Sequence, residues 1–310
     1  QGFSSIRPYR SVNRNDRRNT LFEQLFLFVD YFRPQYVVFE NVVGILTHGK
    51  GATIDAVMGA FESLGYATTM GVLNAVHYGV PQRRERVIVV ASRGGPRPAL
   101  PEPTHGYDAG SMARAEFRHA PLPLFSSDLL PAVTVGDAIG DLPPVAAGQT
   151  AHQYRAQNEA STYARTRRAG AADLVLHSAT RHTKRMLEII RHAGPNRWAL
   201  PENMTTSGFS SSYSRLDWDE PSPTLTVNFV HPASNRCIHP YEDRALTPRE
   251  GARIQSFDDT YRFIGPRTQT VKQLGEAVPP LLACAIADSL LHSTARTGSI
   301  SRRVVAQTAA

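Results

Sequence analysis

The chain has 310 residues, 41% hydrophobic and 20% charged, with a formal charge of +7 and a pI near 9.6. That length and balance suit one large or two unequal globular domains; no apolar run is long enough to cross a bilayer, and none resembles a secretory signal. With only Cys237 and Cys284, a disulfide framework and a cysteine-rich zinc site are excluded, so a reducing cytoplasm is the default setting. The positive excess, carried far more by Arg than by Lys, favours a polyanionic partner.

In chain order, the first predicted element is a helix on which Leu21, Phe22, Leu25, Phe26, Val29 and Phe32 recur at helical spacing, stopped by Pro34. Tyr36–Asn41 (YVVFEN) is an apolar, β-branched and aromatic run closed by Glu40, the pattern of a strand buried on both faces of a parallel sheet. Thr53 is the expected cap of a second helix that runs to Leu64 and stops at Gly65. Tyr66–Ala75 and Arg86–Ala91 read as further strands, and this βα rhythm predicts a doubly wound α/β sheet. From Gly94 to about Pro144, proline and small residues dominate without any sustained period, as in a linker entering a loop-rich second region. Residues 151–215 carry ten Lys or Arg against four Asp or Glu, with one helix around Thr183–His192 ended by Gly194 and Pro195. Thr247, Pro248 and Glu250 then supply the N-cap, N1 and N3 positions of another helix. A last helix spans about Pro280–Leu291, and the polar tail from Ser293 is expected to be mobile.

Ligands of open α/β sheets bind beyond the carboxyl ends of the strands, where Glu40 stands. A carboxylate held there loses part of its water, which raises its pKa and lets it hold or share a proton near neutrality. Helix capping or a structural salt bridge is the competing reading. Arg84 and Arg86 alternate with Arg83 and Glu85 at the start of a strand and so share one face. Solvated charges on an edge strand are the alternative there.

Four blocks line up: Gln1-Gly2-Phe3-Ser4, Glu40-Asn41-Val42, Gln82-Arg83-Arg84-Glu85-Arg86, and Gln273-Leu274-Gly275-Glu276-Ala277-Val278-Pro279-Pro280. In this order, with a basic insert before the last, they resemble the DNA cytosine-5 methyltransferase family. The likeness covers residues 1–93 and roughly 217–293, including the block Arg244–Phe257. It implies a Rossmann-like methyltransferase sheet, incomplete at its N-terminus, with a smaller loop-rich target recognition domain. Residues 1–95 would form the central part of the catalytic domain, 96–240 the target recognition region, 241–292 the rest of the catalytic domain, and 293–310 the tail.

The resemblance also implies a chemistry. A cysteine thiolate adds to carbon 6 of a cytosine flipped out of double-stranded DNA, and carbon 5 then takes a methyl group from S-adenosylmethionine. Glu40 takes the part of the acid at N3, Arg86 contacts O2 of the base, and Arg84 a flanking phosphate. Gln1 and Ser4 correspond to phosphate-side contacts, while Asn41 serves the turn after the strand. Asn19, Thr20 and Leu21 fall near the cofactor's adenine. Glu276, Ala277 and Val278 fall near its carboxylate, with Glu276 replacing the usual asparagine. His177, Arg181, Lys184 and Arg185, on or near one helix, are candidate DNA contacts. The polar segment Thr205–Ser214 could enter a groove.

In the family the nucleophilic Pro-Cys directly precedes the first of these blocks, a position that here lies before Gln1. No glycine loop for the cofactor is found either. Neither Cys237 nor Cys284 matches the nucleophile by motif, and Cys284 reads as an inert thiol on the buried face of the last helix. The expectation is therefore a fragment, or one subunit of a split enzyme completed by a separate N-terminal part, inactive and poorly stable alone. A restriction-modification or orphan methylase in the bacterial cytoplasm or nucleoid is the implied setting. An RNA cytosine-5 methyltransferase and a catalytically inactive DNA-binding or regulatory relative stay open as alternatives, the long insert arguing against the former.

Overall fold

The computed structural model describes residues 21–108, 110–111, 113–119, 128–155, 160–205 and 210–292. The sites expected at Gln1, Ser4, Asn19 and Thr20, and the tail 293–310, lie outside the described residues, as do parts of Thr205–Ser214.

Helix α1 (Leu21–Phe32) leads to strand β1 (Tyr36–Asn41), helix α2 (Ala52–Ser63) and strand β2 (Tyr66–Asn74). Two residues of β3 (Gln82–Arg83) and the strand β4 (Glu85–Arg93) follow. The sheet has the order β1-β4-β2, and β4 is antiparallel to both neighbours. The expected parallel pairing of β1 is thus corrected. β1 and β2 do run the same way, as their helical crossover requires, but β4 returns from β2 through a turn too short for another crossover and inserts between them.

Central β4 is the strand buried on both sides. Val87, Val89 and Ala91 join Phe39, Ile54, Val57 and Phe61 under α1 and α2, while Ile88 and Val90 join Leu282, Ile286 and Leu290 of the last helix, α8 (Pro280–His292). Period-two alternation thus divides one apolar run between two cores. β1 is buried on one face only: Val37 and Phe39 point inward and Val38 is exposed. Helix α2 is capped two residues earlier than expected. Gly51, with φ 98°, is the N-cap, and Thr53 Oγ1 instead meets His48 Nδ1 at 2.7 Å.

The remaining elements are short. They are β5 (His105–Gly106), β6 (Leu130–Pro131), α3 (Val135–Ile139), α4 (Thr162–Arg168), α5 (Lys184–His192), β7 (Ser222–Pro223), α6 (Pro248–Ile254) and α7 (Arg267–Glu276). A third core gathers Val135, Leu142, Leu174, Leu225, Cys237, Leu246, Ile254 and Leu274. It includes residues on both sides of position 240, so that boundary does not separate two packing units.

Helix α6 has the expected capping box, Thr247 Oγ1 accepting from Glu250 N while the Glu250 carboxylate accepts from Thr247 N at 2.7 Å. On α6 and just before it stand buried arginines, each matched to carboxylates. Arg253 donates to Asp259 (2.6 Å) and Asp141 (3.1 Å), Arg249 to Asp259 (2.9 Å), and Arg244 to Glu250 (2.7 Å) and Glu242 (3.0 Å). Among the described residues no single helix is long and apolar enough to cross a membrane.

Candidate active site

Glu40 and Arg86 meet at one end of the sheet. In the β1–β4 register Glu40 lies opposite Ile88, so Arg86, two residues earlier on β4, stands diagonally across on the same face. Arg86 Nε approaches Glu40 Oε1 to 2.8 Å, and Arg86 Nη1 donates to Glu85 O at 2.7 Å. The pair is largely but not wholly covered, with 26% of the Glu40 side chain and 13% of the Arg86 side chain exposed. Burial draws the Arg86 pKa down, while the Glu40 carboxylate works against that. Glu40 is therefore not sealed in an apolar pocket: its nearest charged neighbour is a cation and part of it reaches water. Asn41 Oδ1 accepts from Val42 N at 2.9 Å, serving the turn after the strand.

Arg84 departs from its expected place at a phosphate. It is buried, and Nη1 donates to Leu225 O (3.4 Å) and Nη2 to Gly275 O (3.2 Å). A group enclosed by two backbone carbonyls cannot meet a phosphate without dismantling them. Its pKa is drawn down by burial and by the like charge of Arg86, with Glu40 opposing. Its role in this arrangement is a clasp between the strand that bears Arg86 and the block that begins at Gly275.

Other contacts at the same junction had no signal in the sequence beyond residue type. Asn74 Oδ1 accepts from Arg84 N (3.0 Å), Gln82 Oε1 from Leu225 N (3.2 Å), and Thr224 Oγ1 donates to Arg83 O (2.8 Å). β3 pairs in parallel with β7 beside them. Gly275 fits because it lacks a side chain: a Cβ there would lie 2.5 Å from Val227 N and 2.6 Å from Thr226 O.

After Gly275, Glu276 is exposed at the end of α7, Ala277 packs on the third core, and Val278 on the core beneath α8. Ala277 and Val278 hold the seam between the two cores. Leu21 is the first residue of α1.

Of the expected DNA contacts, Arg181, Lys184 and Arg185 are exposed, with Lys184 and Arg185 opening α5. His177 is not available. It is buried, with Nδ1 3.0 Å from Thr247 Oγ1 and Nε2 2.8 Å from Pro143 O, so both ring nitrogens serve the loop under α6. Cys237 is buried, and burial pushes its thiol up to about 12. Cys284, expected to be buried, is exposed, because the inward face of α8 is taken by Leu282, Ile286 and Leu290. His239, Glu242 and Glu250 bring their ligand atoms within 4.8 Å of one another, but the guanidinium of Arg244 already sits against both carboxylates. That trio is an ion-pair network.

The sequence profile of the C-5 cytosine-specific DNA methylases matches residues 1–292. The chain is 32% identical to the type II methyltransferase M.AgeI of Thalassovita gelatinovora, an alignment covering 94% of this chain and 80% of that one. It is 33% identical to the type II methyltransferase M1.HphI of Haemophilus parahaemolyticus, covering 94% of this chain and 66% of that one. It is 31% identical to DNA (cytosine-5)-methyltransferase 4 of Arabidopsis thaliana over 94% of this chain but only 21% of the plant protein. Among solved structures, a DNA modification methyltransferase encoded within an E. coli prophage superposes with TM-score 0.63. The superposition covers 90% of this chain and 75% of that one at 21% identity, a likeness of fold.

Proposed function

Because this chain belongs to the C-5 cytosine-specific DNA methylase family, we propose that Glu40 and Arg86 form the wall of a DNA cytosine-5 methyltransferase site that holds a flipped-out cytosine. The observation that carries this is their pairing, 2.8 Å apart at the end of adjacent strands, partly covered yet open to solvent. A guanidinium there donates to the carbonyl at position 2 of the ring, and a carboxyl group beside it serves N3. Their ion pair keeps both groups oriented before the base arrives, and the base then shares in it. Preorganised charge of this kind stabilises the charge that builds on the ring when carbon 6 is attacked.

S-adenosylmethionine supplies the methyl group in this chemistry. Of the described residues, Ala277 and Val278 would wall its site, and the exposed Glu276 suits a cationic group of the cofactor better than its carboxylate. Arg84 holds that block against the strand of Arg86 through Gly275 O. The target recognition region falls within 96–240, where Arg181, Lys184 and Arg185 present exposed charge. The type II relatives favour a restriction-modification or orphan methylase, and the DNA methylase family profile with the plant DNA (cytosine-5)-methyltransferase favours DNA over RNA as substrate.

Methyl transfer by the native protein tests the assignment. Glu40→Gln should keep the fold and most of the DNA affinity while lowering turnover about a hundredfold or more, the loss typical of a positioned acid. Labelled-methyl incorporation into duplex DNA measures it, and near-normal incorporation removes Glu40 from the chemistry.

A further inference from the structure

The chain has two tryptophans, and they are placed oppositely. Trp218 packs on the third core with its ring 5.1 Å from that of Tyr241. Trp198 is 79% exposed. A single exposed apolar side chain is ordinary on a protein surface. The mount of Trp198 is not.

Trp198 is the middle residue of one tight turn, Arg197–Ala199, that follows α5. Gly194 lets the turn fold back on the end of α5: a Cβ at that position would lie 2.5 Å from Ala199 Cβ. Leu200, directly after the turn, packs with Ile190, Ala193 and Ile238. Arg197 N donates to Ser210 O (3.3 Å) and Ala199 N to Asn196 O (3.2 Å). A large aromatic with two rotatable bonds, shown to solvent from an anchored turn, loses little freedom on binding.

The neighbourhood selects the partner. Arg181, Lys184, Arg185 and Arg191 are exposed on or just before α5, against which the turn packs. Arg191 lies 3.7 Å from Asp243, a surface pair worth little. Hydrogen-bonded loops also join the turn to β3, which directly precedes the strand of Arg86. After the bond to Ser210 come Ser212 Oγ to Ala233 O, Asn235 Nδ2 to Thr224 O, and Thr224 Oγ1 to Arg83 O. A surface that pairs exposed cations with one presented indole fits a polyanion with planar faces.

We propose that Trp198 is a DNA-contacting side chain, its indole wedged at a partly unstacked base step of a bound duplex while the cations of α5 hold the phosphates. This rests on the reading of the chain as a DNA methyltransferase. The base contact is made by an uncharged ring and the phosphate contacts by α5, so the two respond differently to salt.

The test uses linear plasmid DNA that the native protein methylates. Adding it should quench tryptophan emission in the native protein but not in Trp198→Phe, which retains Trp218. Trp198→Ala should weaken DNA binding about 5- to 150-fold, the range for a lost stacking contact, without changing the slope of affinity against salt. Arg185→Ala should instead lower that slope by about one. Unchanged emission at saturating DNA, or unchanged affinity of Trp198→Ala, overturns the proposal while methylation by the native protein leaves the enzymatic reading standing. Quenching by polyglutamate in place of DNA overturns it in favour of an acidic protein partner. If the native protein methylates no duplex DNA, the methyltransferase reading is what fails.

Discussion

Arg84 and Arg86 stand two positions apart, yet Arg84, in the break between β3 and β4, is enclosed by backbone carbonyls, while Arg86 on β4 faces a carboxylate. Residue type cannot tell these roles apart, since either guanidinium can bind a phosphate, a carboxylate or a carbonyl. Arg84→Met keeps the length of the side chain and leaves the Leu225 and Gly275 carbonyls without their donor, a cost of about 1–3 kcal/mol for buried groups. It should lower the melting temperature and weaken cofactor binding while the salt slope of DNA affinity stays as in the native protein. A slope reduced by about one, with stability intact, would instead return Arg84 to a phosphate. His177 teaches the same point. It sits in a basic, His-containing stretch that reads as DNA-facing, but Thr247 and Pro143 claim both of its nitrogens.

At the scale of elements, α6 is held by charge as much as by apolar burial. Arg249 and Arg253 share Asp259, and Arg253 also reaches Asp141 in the turn after α3. The ion pairs therefore join two segments more than a hundred residues apart. Replacing such a network wholesale with apolar groups can be neutral, but removing one partner strands a buried charge. Asp259→Ala should thus destabilise the protein by about 3–5 kcal/mol, measured by denaturant unfolding. Exposed Asp243→Ala, which breaks the surface contact with Arg191 and a second with Arg215, should cost far less. Equal losses in the two variants would show that the α6 pairs have no special weight.

Across the whole molecule these buried charges set the response to acid. Burial alone would raise the Glu250 carboxyl, but Arg244 and His239 hold it well below its ordinary 4.5. Burial likewise works against Asp259, which Arg253 and Arg249 hold below 3.8. Both groups release protons more readily folded than unfolded, so their stabilisation is present above about pH 4.5 and is lost as pH falls through the lower folded values. His239 has the same sign from a different cause. Burial depresses its pKa below 6.5, so the unfolded chain binds the proton first and stability declines from about pH 6.5 downward. Chemical unfolding between pH 7.5 and pH 4 should therefore show stability falling monotonically toward acid, more steeply below pH 4.5. A curve that is flat or rises on acidification would contradict the buried network.

Local signals in the sequence determined the parts that depend on neighbouring residues alone. The cap at Thr247, the start of α5 after Thr183, the strand runs of β1, β2 and β4, and the blocks around Glu40, Arg86 and Gly275 were all legible, because each is settled within a few residues. Tertiary structure decided what depends on segments far apart in the chain. β4 enters between β1 and β2 because a short return leaves no room for a crossover, and this makes the pairing antiparallel and brings Arg86 to Glu40. Carbonyls 141 and 191 residues away turn Arg84 inward. The close approach at Gly194 and the packing of Leu200 leave Trp198 outward. Periodicity assigns a side chain to a face, but whether that face meets solvent, a carbonyl or a carboxylate is fixed only when distant segments pack.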